Sequence, residues 1–203
     1  MNRLRRDCGA ALIIGGVLLI LLNAVFTPLM PTDDGEAAVR TSWPYLVRLS
    51  LAVAAAITYV LGTVGLRLAQ GDRAGRYDQL AFWVAFVGNC LLVGLEWSNV
   101  FVLRPVAQVA PEALEALDDA PLLMAGFASG AGLFTLGWIL MAVSVLRTRV
   151  TARWAPITVL AGFALAAALG ASPLGPTGMI IGSVVIGVGF VGLGRGVMVA
   201  AAA

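Results

Sequence analysis

The chain contains no lysine and no histidine, and all 13 of its basic residues are arginine. Without lysine there is no amine for a Schiff base; without histidine there is no imidazole for a haem, for the usual zinc sites or for a general base. Charge is also scarce, with 12% of 203 residues ionisable against 60% apolar, a balance that excludes a soluble globular domain. There are only two cysteines, Cys8 and Cys90, one near the start of the first apolar run and one deep inside the third. They lie too far apart to pair, and Cys8 follows Arg6 and Asp7 rather than the small residues of a lipoprotein processing site. Both are expected as free thiols.

What is abundant is long apolar sequence. A membrane span takes roughly 20 apolar residues, and runs of that kind occupy 8–30, 45–69, 79–103, 121–146, 155–171 and 177–194. The reading is an all-α, polytopic helix bundle of six transmembrane helices forming a single domain, with no room for a soluble one. The first run is longer than the roughly 7–15 residues of a cleaved leader and is expected to be a retained span. The last two runs are the shortest and are joined only by Ser172-Pro-Leu-Gly-Pro176, so a re-entrant final hairpin is the alternative.

Arginine counting sets the orientation. Arg3, Arg5, Arg6, Arg67, Arg73, Arg76, Arg147, Arg149, Arg153 and Arg195 fall on one side; Arg40, Arg48 and Arg104 fall on the other. Positive loops stay in the cytoplasm, so both termini are expected inside. Pro44, Pro121, Pro156 and Pro176 stand where helices begin, a position at which the missing N–H costs nothing. Three successive hairpins emerge, and Asn23-Ala-Val-Phe faintly echoes Asn99-Val-Phe in the first two. Trp43, Tyr45, Tyr77 and Trp154 sit at boundaries as interfacial anchors.

Glu96 is the ionisable residue placed clearly inside an apolar run, and a carboxylate there needs polar company. At 1.5 Å per residue it lies about 27 Å from Asp78 and about 12 Å from Arg104, hence in the outer third of the membrane. Spacings of 7 and 3 residues put Asn89, Glu96 and Asn99 on one helix face. Asn23 on the first helix and Thr58 on the second are positioned to face that stripe. The candidate ligand-binding set is therefore Glu96, Asn89, Asn99, Asn23 and Ser98, around an outward-opening cavity for a small solute, ion or lipid. The competing reading is an internal cluster of Glu96 with Arg48 or Arg104 that fixes helix register.

Small residues recur at four-residue spacing, as Gly126/Gly130 and Gly178/Gly182, with Gly187 paired to Ser183. Such faces pack helices closely, within the chain or between copies, and make a homo-oligomer through these glycines one expectation. Residues 111–119 read as a short interfacial helix. Its acids, with Asp33, Asp34 and Glu36, lack calcium-loop spacing and read as a solvated face. Nothing indicates nucleic-acid binding, a cofactor, a metal set or a catalytic residue group; an intramembrane enzyme ranks last. Arginine in place of lysine, with much Ala, Gly and Val, points by composition to a GC-rich bacterial genome, and the apolar runs to a bacterial cytoplasmic membrane. The functional expectation is solute binding or passage at Glu96, and the alternative is an accessory subunit of a membrane complex.

Overall fold

The computed structural model of the chain describes residues 2–31, 35–114 and 120–202. Among the described residues the structure is all-helical, with no strand. Helix α1 (Asn2–Leu21) runs on through a π-helical turn at Leu22–Phe26 and a 3-10 turn at Thr27–Leu29. The short α2 (Glu36–Thr41) precedes α3 (Trp43–Gln70). Helix α4 (Arg76–Ser98) continues through a second π turn at Asn99–Leu103 into α5 (Arg104–Val109). Then come α6 (Pro121–Thr148), α7 (Trp154–Gly170) and α8 (Gly175–Ala202).

Five helical segments are long and apolar enough to cross a membrane: Asn2–Leu29, Trp43–Arg73, Arg76–Val109, Pro121–Thr148 and Gly175–Ala201. The fifth run of the sequence forms α7, which at 17 residues reaches about 25 Å, short of the roughly 30 Å hydrocarbon core.

Helices α1 and α8 run well past one end of their expected spans. Helix α1 starts at Asn2 rather than at residue 8 because Arg5 folds its charged first turn onto the bundle. Its Nη1 donates to the Ala200 carbonyl at 2.9 Å and its Nη2 to that of Leu68 at 3.1 Å. These are last-turn carbonyls of α8 and α3, which have no partner within their own helices and favour a cation. Helix α8 continues past residue 194 because Arg195 points outwards while Leu193 and Val197 stay buried on the inner face.

The helices pack as three antiparallel hairpins, α1/α3, α4/α6 and α7/α8, with α1 also running antiparallel along α8. Contacts of α3 with α4 and of α6 with α7 close the ring. Many interior positions are small: Ala52, Ala55, Ala56, Ala81 and Ala85 are buried, whereas Leu80, Trp83, Ile157 and Met179 face outwards. That inversion suits an apolar solvent, in which close approach of backbones rather than water exclusion joins helices. At mid-depth Trp138 packs 4.3 Å from the Phe190 ring and edge-on to Tyr59 at 6.3 Å, and Phe134 closes on Tyr59 at 5.9 Å. The middle of the bundle is filled by these aromatic rings.

Candidate functional site

Both π turns lie at the same end of the bundle, the end that carries Arg40, Arg48 and Arg104. Each precedes a proline, Pro28 in one case and Pro105 in the other. A proline ring clashes with the carbonyl four residues back and supplies no N–H. Widening the preceding turn relieves this: the Thr27 N–H reaches back to the Leu22 carbonyl and the Arg104 N–H to that of Asn99. The faint Asn-Ala-Val-Phe and Asn-Val-Phe echo thus corresponds to the same local structure in two hairpins. Single π turns inside α-helices concentrate at functional sites.

The Arg48 end of α3 lies against both turns. Arg48 Nε donates to Thr27 Oγ1 at 3.0 Å, and that hydroxyl donates to the Leu22 carbonyl at 3.0 Å. Arg40 donates to Glu36 at 2.6 Å, to the Tyr45 hydroxyl at 3.1 Å and to Asn99 Oδ1 at 3.4 Å. Arg104 donates to the Thr41 carbonyl at 2.9 Å. Glu96 sits one turn before Asn99, half-buried. Arg48, Tyr45 and Tyr59 are within its electrostatic reach. Among the described residues no hydrogen bond or ion pair engages its carboxylate.

The remaining residues of the expected set divide. Asn89 is fully buried about two turns deeper and its amide is committed: Nδ2 donates to Thr63 Oγ1 at 2.9 Å and Oδ1 accepts from Trp138 Nε1 at 3.1 Å. Asn99 joins Glu96 at the cluster, with its Nδ2 returned to the Leu95 carbonyl at 3.1 Å. Asn23 donates to the Leu19 carbonyl of its own helix at 3.1 Å. Thr58 bonds Ala55 and faces Gly15 of α1. Ser98, two residues beyond Glu96 and so turned about 200° round the helix, lines a different space. This is an open groove of about 610 Å³ between α4 and α6, with Cys90, Gly94, Leu122 and Gly126.

Arg40 and Tyr45 join the cluster although neither stood in the expected set; Arg40 had served only for topology and Tyr45 as an interfacial anchor. Trp43 is 64% exposed and stays outside the cluster. Thr63 and Trp138, the partners of Asn89, carry no signal in an apolar run. Gly178 and Gly182 pack on Leu169 and Ala166 of α7, Gly187 on Ile20 of α1 and Gly130 on Leu95 of α4, all within the chain, while Gly126 has open space beside it. Asp33, Asp34, Glu115, Asp118 and Asp119, with most of the expected interfacial helix at 111–119, lie outside the described residues.

These features define an all-helical protein with membrane-type helices and a polar cluster at one end of the bundle. No protein-family model, curated protein or solved structure matches the chain.

Proposed function

We propose that the chain is a six-span protein of a bacterial cytoplasmic membrane, both termini inside, that binds a small solute at the outer cluster of Glu96, Arg48, Arg40 and Asn99. Support for the sixth span comes from α7, which runs antiparallel along α8 from Trp154 beside Gly192 to Leu169 beside Gly178. Support for the orientation comes from the ten arginines at the end where α1 begins and α8 finishes. A cysteine replacing Ser172, in a background lacking Cys8 and Cys90, is therefore expected to react with an impermeant maleimide added to intact cells. Failure to label, with labelling of a cysteine at Thr151 instead, would overturn the orientation.

The observation that carries the binding reading is the unengaged Glu96 carboxylate beside Arg48, at the meeting of two π turns. A carboxylate and a guanidinium held near each other without pairing suit a ligand with a donor for one and an acceptor for the other, such as a small zwitterion. Binding is favoured over passage because Tyr59, Trp138 and Phe190 fill the bundle beneath the site. Native mass spectrometry of the protein released gently from its own membrane tests this. A copurifying small molecule is expected with the wild type and is lost in Glu96→Gln; spectra identical in both forms would refute it.

The second reading, an accessory subunit or homo-oligomer, is favoured by the groove beside Gly94 and Gly126, where Leu122 is 87% exposed. A protein complex of unchanged mass in both forms would select it.

A further inference from the structure

At the arginine-rich end, a second polar chain links three helices. The Asp78 carboxylate caps α4 by accepting from the Gly75 N–H at 2.8 Å, and its other oxygen accepts from the Ser144 hydroxyl at 2.8 Å. Having donated its proton to Asp78, the Ser144 oxygen can only accept from Gln70, whose Nε2 lies 2.7 Å away. This fixes the direction of the Gln70 amide and turns its carbonyl oxygen away from Ser144. Gln70 is 1% exposed, and Oε1 has no partner. Arg5, with both terminal nitrogens engaged on Leu68 and Ala200, leaves Nε buried and equally without a partner.

Both residues line one cavity of about 350 Å³, together with Asp72, Arg73, Val150 and Ala200. A buried donor and a buried acceptor without partners each weaken the fold unless a further group reaches them. The lining is divided by charge: Arg5 and Arg73 offer cationic donors, Asp72 and Gln70 Oε1 offer acceptors. An anion alone would satisfy only the first pair, and a cation alone only the second.

We infer that this cavity binds a phosphate ester bearing an ammonium group, the phosphoethanolamine unit, with the phosphate on Arg5 and Arg73 and the N–H donors on Gln70 Oε1 and Asp72. Basic pockets between membrane helices at the cytoplasmic surface are suited to lipid headgroups, and the same group exists free in solution. The site is independent of the outer cluster and of its proposed ligand.

The test uses the purified full chain in detergent, with native mass spectrometry and titrations monitored by thermal unfolding. The probes are dihexanoyl-phosphatidylethanolamine, free phosphoethanolamine, dihexanoyl-phosphatidylcholine and inorganic phosphate. Binding of the ethanolamine lipid is expected, and the choline lipid, which has no N–H to donate, should bind about tenfold more weakly or worse. Free phosphoethanolamine binding as tightly as the lipid would identify a soluble ligand, and weaker binding a lipid; either supports the site. Arg73→Ala, whose side chain is exposed and lies on the cavity, is expected to weaken binding about tenfold. Arg76→Ala, the same charge change outside the lining, should leave it unchanged. The proposal is overturned by no binding of either ethanolamine probe, as for a cavity where water alone bridges Arg5 and Gln70. Equal affinity for the choline lipid or for inorganic phosphate, or equal losses in the two arginine variants, would overturn it too.

Discussion

Trp138→Ala is expected to destabilise the folded bundle by about 3–5 kcal/mol, the range for deleting a large buried aromatic side chain. The side chain is wholly enclosed, stacked against Phe190, edge-on to Tyr59 and bonded through Nε1 to Asn89. In a bilayer the alanine variant recovers little from transfer arguments, because lipid is as apolar as the protein interior. Packing and hydrogen bonding carry the loss. The cavity opens where α3, α6 and α8 meet, and Asn89 Oδ1 is left buried without a donor, a cost of roughly 1–3 kcal/mol by itself. Trp138→Phe separates the two terms: it keeps most of the ring contact and loses the N–H, so it should fall at about that 1–3 kcal/mol. Trp83→Ala is the control, since Trp83 is 51% exposed on the outer surface; its effect should stay within about 0.5 kcal/mol. Unfolding in mixed detergent micelles measures all three. Equal losses for Trp138→Ala and Trp83→Ala would show that the aromatic centre does not hold the bundle together.

The helices themselves were legible because apolar run length and proline position act locally. Pro44 and Pro121 stand in the first turn of α3 and α6, as placed from sequence. The hairpin pattern left its trace in the proline positions, although α1/α3 and α4/α6 are joined by longer connections than α3/α4 and α6/α7. What hydropathy cannot convey is the rotation of each helix, since a span apolar on every side has no preferred face. Asn89 and Glu96 do share a stripe, yet one bonds Trp138 from α6 and the other lies only within electrostatic reach of Arg48 from α3, and the packing alone decides which. The π turns left a trace in the Asn-Ala-Val-Phe echo, but one extra residue per turn does not disturb an apolar run. Arg5 and Gln70 were hidden differently: arginines near a terminus already have an explanation in topology, and nothing local marks the one that caps two other helices.

A helix crossing made backbone to backbone yields the other large effect. Gly88→Ala combined with Gly137→Ala is expected to lose about 2–6 kcal/mol, from roughly 1–3 kcal/mol of overpacking at each position. The two glycines lie within the α4/α6 contact. A Cβ at Gly88 would lie 2.5 Å from the Leu133 carbonyl, and one at Gly137 would lie 2.7 Å from the Ala85 nitrogen and closer still to its Cα. Both obstacles are backbone, so no rotamer change relieves them and the helices must separate. Separation would carry Asn89 away from Trp138 and Ser144 away from Asp78, joining this defect to both buried polar networks. Gly126 and Gly132, also on α6, have no atom within 4 Å of a built Cβ. There the same change should be neutral or stabilising by up to about 1 kcal/mol, from helix propensity alone. Thermal unfolding of the four glycine variants should therefore split them by helix face, with opposite signs on one helix. A uniform response, whether loss or gain, would mean that α4 and α6 do not cross backbone to backbone at Gly88 and Gly137.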